Sequence, residues 1–345
     1  MVPKGNTTYE AKAMKRLNNL YEQIISIDNI LLADTLARKG KSRQTGIKTF
    51  DNNYDQNIAD IYKDLVTKEY KTGEYQTRTI YERKERIISI LPYRDRIVHH
   101  AIMNVLEPMF VSVFTADTYS CIKGKGTHKA SEALTEALKD EQNTLYCLKI
   151  DVKKFYPSVD HEILKQLLRR KIKDPELLWL LDSIIDSAPG LPIGNYLSQY
   201  FANFYLAYFD HWMKEQKQVK YYVRYADDII VLASNKGYLR RVLAGIIKYF
   251  YNRLKLHVKS NYSIFPITEK IGADFVGYVH FRKHKRVRKT TKQNFARKVA
   301  KGINRESLAS YKGCIKHCNG KHLIKKLTSQ NERIQRSRHT VSKQI

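Results

Sequence analysis

Apolar positions recur at helical spacing over residues 9–39, where Leu17, Leu20, Ile24, Ile27, Leu31 and Leu32 predict a helical segment. The same period returns over 57–70. Between them, residues 40–55 are polar and glycine-bearing and predict a loop. Charge alternates with apolar runs over 77–91 and closes on IISIL before Pro92, the pattern of a strand or hairpin. A helix is expected over 93–115, with Ile97, Ala101, Val105 and Met109 on one stripe. The basic glycine loop CIKGKGTHKA (121–130) opens a helix carrying Ala133, Leu134, Ala137 and Leu138, and TLYCLKI (144–150) reads as a buried strand. Further helices are expected from about Asp160, with Ser158 or Asp160 as cap, over 196–213 and over 238–256. YYVRYADDIIVLA (221–233) reads as two apolar strands joined by a tight turn at two carboxylates, and GADFVGYVHF (272–281) as a strand pair. No internal repeat is visible.

Composition then narrows the class. At 345 residues and 43% hydrophobic, the chain can bury a sizeable core and suits two or three subdomains around a shared cleft. Lys and Arg number 62 against 34 Asp and Glu, a formal net charge of +28. So large an excess repels itself unless a polyanion accompanies it, and nucleic acid is the polyanion that Lys and Arg bind by displacing counterions. From 282 to 345 there are 20 Lys and Arg but only Glu306 and Glu332, which marks a separate basic helical segment. The four cysteines form no disulfide framework for a chain of this length, the start MVPKGNTTYE lacks an apolar signal region, and no run of 18 apolar residues occurs. A cytoplasmic location without membrane attachment is the expectation.

The candidate chemistry lies in acids set into apolar strands. Asp151 ends LYCLKI, and Asp227 and Asp228 sit at the hairpin tip between YYVRY and IIVLA. A charge at the edge of a buried strand is costly unless it is paired or binds metal. Three converging carboxylates raise each other's pKa, and a divalent cation removes that conflict. Oxygen ligands with open water positions suit Mg2+, and two such ions can stabilise the attacking and leaving oxygens of an in-line displacement. A lone Asp-Asp pair at a hairpin tip can also be simple turn chemistry.

The flanking residues carry a resemblance. Tyr225-Ala226-Asp227-Asp228 followed by IIVLA resembles the signature hairpin of reverse transcriptases, and KIDVKKFYPSVDHEIL (149–164) resembles their first palm motif. GLPIGNYLSQYFANFYL (190–206) resembles the motif before the long palm helix, LPYRDRIVHHAI (91–102) echoes a fingers motif, and FVGY (275–278) resembles the primer-grip hairpin. SLASYKGCIKHCN (307–319) is similar to the start of the thumb in bacterial retroelement enzymes. The resemblance implies an α+β right-hand polymerase. An N-terminal helical extension would cover 1–56, fingers 57–145, palm 146–280 with fingers segments interleaved, and a basic helical thumb and tail 281–345.

It further implies RNA-directed DNA polymerase activity, in which two Mg2+ ions, with Mn2+ as a substitute, drive nucleotidyl transfer onto a primer 3′-hydroxyl. Asp151, Asp227 and Asp228 match the catalytic metal-binding triad, and the carbonyl of Val152 would complete one metal shell. Tyr156 matches a residue that stacks under the incoming sugar and excludes a 2′-hydroxyl; the alternative is a core aromatic beside Phe155. Arg86, with Lys84 and Arg83 as competitors, stands where a cation meets the triphosphate, and Ile193, Gly194 and Lys259 also fall at nucleotide-binding positions. Arg94 and Arg96 are placed on template phosphates or in structural ion pairs. Lys123, Lys125, Gln199, Gly277, Tyr278, Lys312 and Lys316 are assigned to template or primer.

Ile193-Gly194-x-x-x-Ser198-Gln199 departs from the Q-G-x-x-x-S-P of group II intron and retron enzymes and is similar to the reverse transcriptases of diversity-generating retroelements. That subgroup implies error-prone mutagenic retrohoming in a bacterial or phage setting. Its partners would be template RNA, nascent cDNA, dNTPs and a small basic oligomeric accessory protein. Ile193, which cannot hydrogen-bond as Gln would, is expected to weaken checking of the nascent pair. The alternatives are a phage-defence or group II-like reverse transcriptase, a two-metal nuclease, or a non-catalytic RNA-binding protein on the same fold. Cys314, His317, Cys318 and His322 lack the spacing of a closed zinc site, and GKGT lacks the full phosphate-loop spacing.

Overall fold

In a computed structural model of the chain, residues 16–81 and 85–327 are described. The chain divides into two compact units, each built from several chain segments. The first comprises 1–114, 154–208 and 252–256, and the second 115–153, 209–251 and 257–345.

The first unit is mainly helical. The expected N-terminal helix is two, Tyr21–Ile25 and Ile27–Arg38, broken at Ser26, whose extended backbone and side chain cap the second by accepting from Asn29 N–H. Residues 45–51, expected as loop, form a helix that buries Ile47 and Phe50. The next helix runs Tyr54–Val66. Strands β1 (Gln76–Tyr81) and β2 (Glu85–Ile90) pair antiparallel from Gln76↔Ile90 to Tyr81↔Glu85, as the alternating charge foretold. The helix Tyr93–Val113 is the unit's spine: Ile97, Ala101 and Ile102 are fully buried, and Phe110 meets Phe201 and Phe204 edge-on at 6.2 and 5.4 Å. Each such ring contributes about 1.5–3 kcal/mol by burial. His161–Arg169 starts where expected, because the Asp160 carboxylate accepts from Ile163 N–H at 3.0 Å. A helix unforeseen in the sequence, Pro175–Ile185, follows Asp174, which caps it and also accepts from the Leu20 and Tyr21 amides.

The second unit holds two antiparallel sheets. The four-stranded one has the order β4-β5-β3-β6, with β3 Tyr146–Asp151, β4 Tyr221–Tyr225, β5 Asp228–Ala233 and β6 Ser263–Pro266. β3 and β5 are buried because they are central and nearly continuous in apolar residues; Cys147, Leu148, Ile150, Ile229, Ile230 and Val231 are wholly enclosed. The helix Thr127–Ala137 lies on this sheet through Ala130 and Leu134, which share a cluster with Val223, Ile230 and Phe275.

The second sheet is β7 (Ala273–Phe275), β8 (Tyr278–His280) and β9 (Lys285–Val287). β9 was not foreseen, and it carries the sheet across residue 281. Val276 and Gly277 both have positive φ, which gives the two-residue turn that a right-twisted hairpin favours. Helices Lys289–Ala300 and Arg305–Lys316 follow, and their Phe295, Val299 and Ile315 pack with Tyr278 and Val287. No described helix is long and apolar enough to cross a membrane.

Candidate active site

Strand register brings the carboxylates together. In the β3–β5 ladder Asp151 stands opposite Asp228, and in β4–β5 Tyr225 stands opposite Asp228, so Ala226 and Asp227 alone make the turn. Ala226 has φ +53, a conformation that costs a residue with a Cβ about 1–2 kcal/mol. The turn therefore holds strain where the acids meet. Burial first, and the neighbouring Asp151 carboxyl second, push Asp227 up to about 7. Burial also raises Asp228 to about 6, while nearby Lys149 opposes that rise.

Two lysines face these acids. The Lys259 ammonium pairs with Asp151 Oδ1, and its backbone N–H donates to the Asp151 carbonyl at 2.9 Å. Lys149 Nζ donates to the Asp274 carbonyl and lies 3.8 Å from Asp228 Oδ2. Lys149 was missed in the sequence, although as the second residue before Asp151 it shares that residue's face of β3. Asp228 Oδ1 is buried without a hydrogen-bond partner among the described residues. An orphaned carboxylate oxygen beside two further acids, two of the three held toward the neutral form, is a donor set suited to a hard divalent cation. Val152 is buried and bridges to Val258, but the bridge's hydrogen bonds run from Lys153 N–H to His257 and from Lys259 N–H to Asp151, not through Val152 itself.

Behind the hairpin lies a second feature the sequence did not reveal. Arg224 on β4 is fully buried against Asp210, which also accepts from Tyr222 at 2.6 Å and Thr118 at 2.9 Å. Arg224 Nη1 donates to the Ala226 carbonyl at 3.0 Å, which ties the strained turn to this network. A buried Arg in an apolar strand was the available signal.

The other expected residues are distributed as follows. Tyr156 is half-buried in the first unit, its ring edge-on to Phe155 at 5.6 Å and its carbonyl accepting from Leu191 N–H. Gly190, at φ +60, allows that approach, since a Cβ there would meet the Tyr156 and Pro157 carbonyls at 2.6 Å. The Ile193 carbonyl accepts from Ser89 N–H at 2.8 Å, and a Cβ on Gly194 would meet the Ser89 carbonyl at 2.9 Å, so β2 is stitched to the 190–195 loop. Arg86 is exposed on β2, opposite Ile80, while Lys84 and Arg83 lie outside the described residues.

Arg94 pairs with Asp64 and covers the Tyr70 ring, and Arg96 donates to the Leu91 carbonyl and to Gln44. Lys123 is exposed. Lys125 donates to the carbonyls of Ala116 and Thr118, which makes it a clasp on its own loop. Gln199 is half-buried. Gly277 forms the β7–β8 turn, and Tyr278 is buried with its hydroxyl donating to the Cys314 carbonyl at 2.8 Å. Lys312 and Lys316 are exposed on their helix. Among the described residues no group of three or more His, Cys, Asp or Glu side chains is arranged to hold a metal ion, Asp151, Asp227 and Asp228 included.

Comparison with known proteins meets this geometry. Residues 71–264, more than half of the chain, match the reverse transcriptase (RNA-dependent DNA polymerase) family, and the protein belongs to that family. Among its relatives, protein YkfC of Escherichia coli K12 is 25% identical over 202 residues, 53% of each chain. The Retron Ec73 reverse transcriptase of Escherichia coli is 32% identical over 172 residues, covering 46% of this chain and 52% of the relative. The chain thus spans about half the length of these two curated relatives. A solved telomerase from Candida tropicalis, bound to a fragment of telomeric RNA, aligns over 83% of this chain and 58% of its own with a TM-score of 0.48 and 14% identity.

Proposed function

We propose that the protein is an RNA-directed DNA polymerase that extends a primer 3′-hydroxyl with deoxynucleotides. The observation that carries this is the register-enforced meeting of Asp151, Asp227 and Asp228, with one buried carboxylate oxygen left unpartnered, in a chain of the reverse transcriptase family. Asp151, Asp227, Asp228 and the Val152 carbonyl would hold two Mg2+ ions, which when bound lower the barrier to in-line displacement at the α-phosphate. The hairpin turn fixes Asp227 and Asp228, and Arg224 anchors that turn from behind. Lys259 pairs with Asp151 and would hand a proton toward a leaving pyrophosphate.

In this reading residues 57–145 are fingers, 146–280 palm with fingers segments interleaved, and 281–345 thumb. Arg86 serves the triphosphate, Tyr156 the sugar, and the basic helices after 281, with Lys312 and Lys316, the duplex phosphates. The Ile193-Gly194 and Ser198-Gln199 pattern favours the diversity-generating type, with mutagenic copying of a template RNA and a small basic accessory protein as partner.

Primer extension on RNA and DNA templates of one sequence tests the function. Template-directed products from dNTPs on RNA are expected, and products absent on both templates would refute it. The finer type is read from product sequencing. Ile193→Gln is expected to lower misincorporation opposite template adenine, and an unchanged error spectrum would reject that role for Ile193.

A further inference from the structure

Within the first unit, the chain leaves the Pro175–Ile185 helix at Asp186 and runs to the loop that holds Ile193. One peptide group on that path, Gly190–Leu191, is held from both sides. Its carbonyl lies 2.9 Å from His161 Nε2, and because a carbonyl can only accept, that nitrogen carries the hydrogen. Its N–H donates to the Tyr156 carbonyl at 2.8 Å. Gly190 has φ +60, and a Cβ there would meet the Tyr156 and Pro157 carbonyls at 2.6 Å, so only glycine brings the peptide this close.

The ring that holds this peptide is itself held. His161 Nδ1 faces Asp186 Oδ1 at 3.2 Å, and Lys165 Nζ pairs with the other Asp186 oxygen at 2.7 Å and with Glu162 at 3.3 Å. His161 is the first residue of the His161–Arg169 helix, whose start is fixed by the Asp160 cap. One imidazole at a capped helix start therefore ties down Asp186 and Gly190 together. Beyond Leu191 the same segment is joined to β2, where Ser89 N–H donates to the Ile193 carbonyl. Hydrogen bonds made through one amide polarise each other, so losing the donor on the His161 side weakens the bond on the Tyr156 side.

We propose that His161 is a positioning residue for nucleotide selection: through the Gly190–Leu191 peptide it fixes the backbone of Tyr156, and with it the setting of the Tyr156 ring. The inference rests on the reading of Tyr156 as the residue that excludes a 2′-hydroxyl. His161 acts through Tyr156 and is not itself a catalytic residue.

Single-nucleotide incorporation on an RNA template, with a deoxynucleotide and the matching ribonucleotide in separate arms, reads the ratio of their kcat/KM values. His161→Phe keeps a ring of similar size and removes both nitrogens. It should lower the preference for the deoxynucleotide about fivefold, the effect of one ordinary hydrogen bond. His161→Gln, whose amide nitrogen falls near the place of Nε2, should restore most of that preference. His161→Asn, which reaches only the place of Nδ1, should not. In a Tyr156→Ala background His161→Phe should change the ratio no further, because the ring it acts through is gone. A second readout needs no catalysis. The 19F resonance of 3-fluorotyrosine at position 156 should shift or broaden in His161→Phe and return in His161→Gln. The same label at position 70, buried in the same unit, should stay unmoved.

An unchanged sugar ratio in His161→Phe, with wild type extending the primer, would overturn the inference and leave the polymerase reading standing. A full fivefold loss in the Tyr156→Ala background would overturn it too, since His161 would then act elsewhere. No extension by wild type refutes the polymerase reading and the sugar role with it, whereas an unmoved resonance at position 156 refutes the hold of His161 on Tyr156 alone. Should His161→Phe not fold, His161→Asn carries the same predictions.

Discussion

At the scale of single residues, the proposed chemistry rests on the carboxylates. The Asp227 carboxyl is held up to about 7, against an ordinary value near 3.8, so the folded protein binds a proton there more tightly than the unfolded chain. Its contribution to stability is therefore most favourable in acid and is lost as pH rises from the unfolded value through about 7. Asp227→Asn should raise the melting midpoint of the metal-free protein at pH 8, with the gain vanishing at pH 4, by differential scanning calorimetry. Magnesium should raise the wild-type midpoint at pH 8 and leave the variant's nearly unmoved, since only a ligand bound by the native state stabilises it. At the adjacent Ala226, φ +53 makes glycine the better fit. Ala226→Gly should stabilise by about 1 kcal/mol in urea unfolding while slowing incorporation, because the turn that sets Asp227 gains freedom. Tyr156→Ala should raise ribonucleotide use relative to deoxynucleotides by about 10–100-fold in single-nucleotide incorporation, if the ring is the sugar gate.

At the scale of elements, the strands were the most legible part. YCLKI, YYVRY and DIIVLA are short, apolar and rich in β-branched or aromatic residues, and each became a strand of the central sheet. The three acids were singled out from these runs, because an acid ending such a run has few uses. What the sequence hid has physical causes. PELLWLLDSII is so uniformly apolar that its helical period is flattened, which left only its start signals, the Asp174 cap, Pro175 and Glu176. The 45–51 helix is short and mostly polar, held by Ile47 and Phe50 alone. The KRV of β9 looks like solvated charge until β8 pairs with it.

The Arg224–Asp210 pair was illegible because its partners sit on different elements 14 residues apart. It has a measurable consequence. Arg224→Met leaves the buried Asp210 carboxyl without its cation, and should destabilise by about 3–5 kcal/mol, whereas the double variant Arg224→Met with Asp210→Leu should recover most of that loss. Chemical denaturation of the four proteins forms a double-mutant cycle; an additive result would show that the pair does not couple. A second link between elements is acid-sensitive. His280 on β8 hydrogen-bonds the Ser131 hydroxyl at 2.9 Å on the Thr127–Ala137 helix, and burial lowers it to about 4. With a native value below the unfolded 6.5, its contribution is full above that pH and is lost as pH falls toward 4. The melting midpoint should fall over that interval, and His280→Gln should flatten the decline.

At the scale of the whole molecule, charge and composition speak for a nucleic-acid partner more than any single side chain does. A net charge of +28 over 345 residues predicts binding that weakens steeply with salt, by about 0.7 in log–log slope for each single-strand phosphate contacted. Family membership rests on residues 71–264, and the basic helices beyond β9 lie outside that stretch. Truncation within those helices should therefore lower affinity for a primer–template while sparing the carboxylate geometry.

The most direct measurement is the magnesium-dependent rate of single-deoxynucleotide incorporation on an RNA template, taken in parallel for wild type and Asp227→Asn. Wild type should show saturable incorporation that follows the template base. The variant should be slower by about a hundredfold to ten-thousandfold, since several kcal/mol of transition-state stabilisation run through that carboxylate. Incorporation by Asp227→Asn within a few-fold of wild type would contradict the assignment of this carboxylate cluster to catalysis.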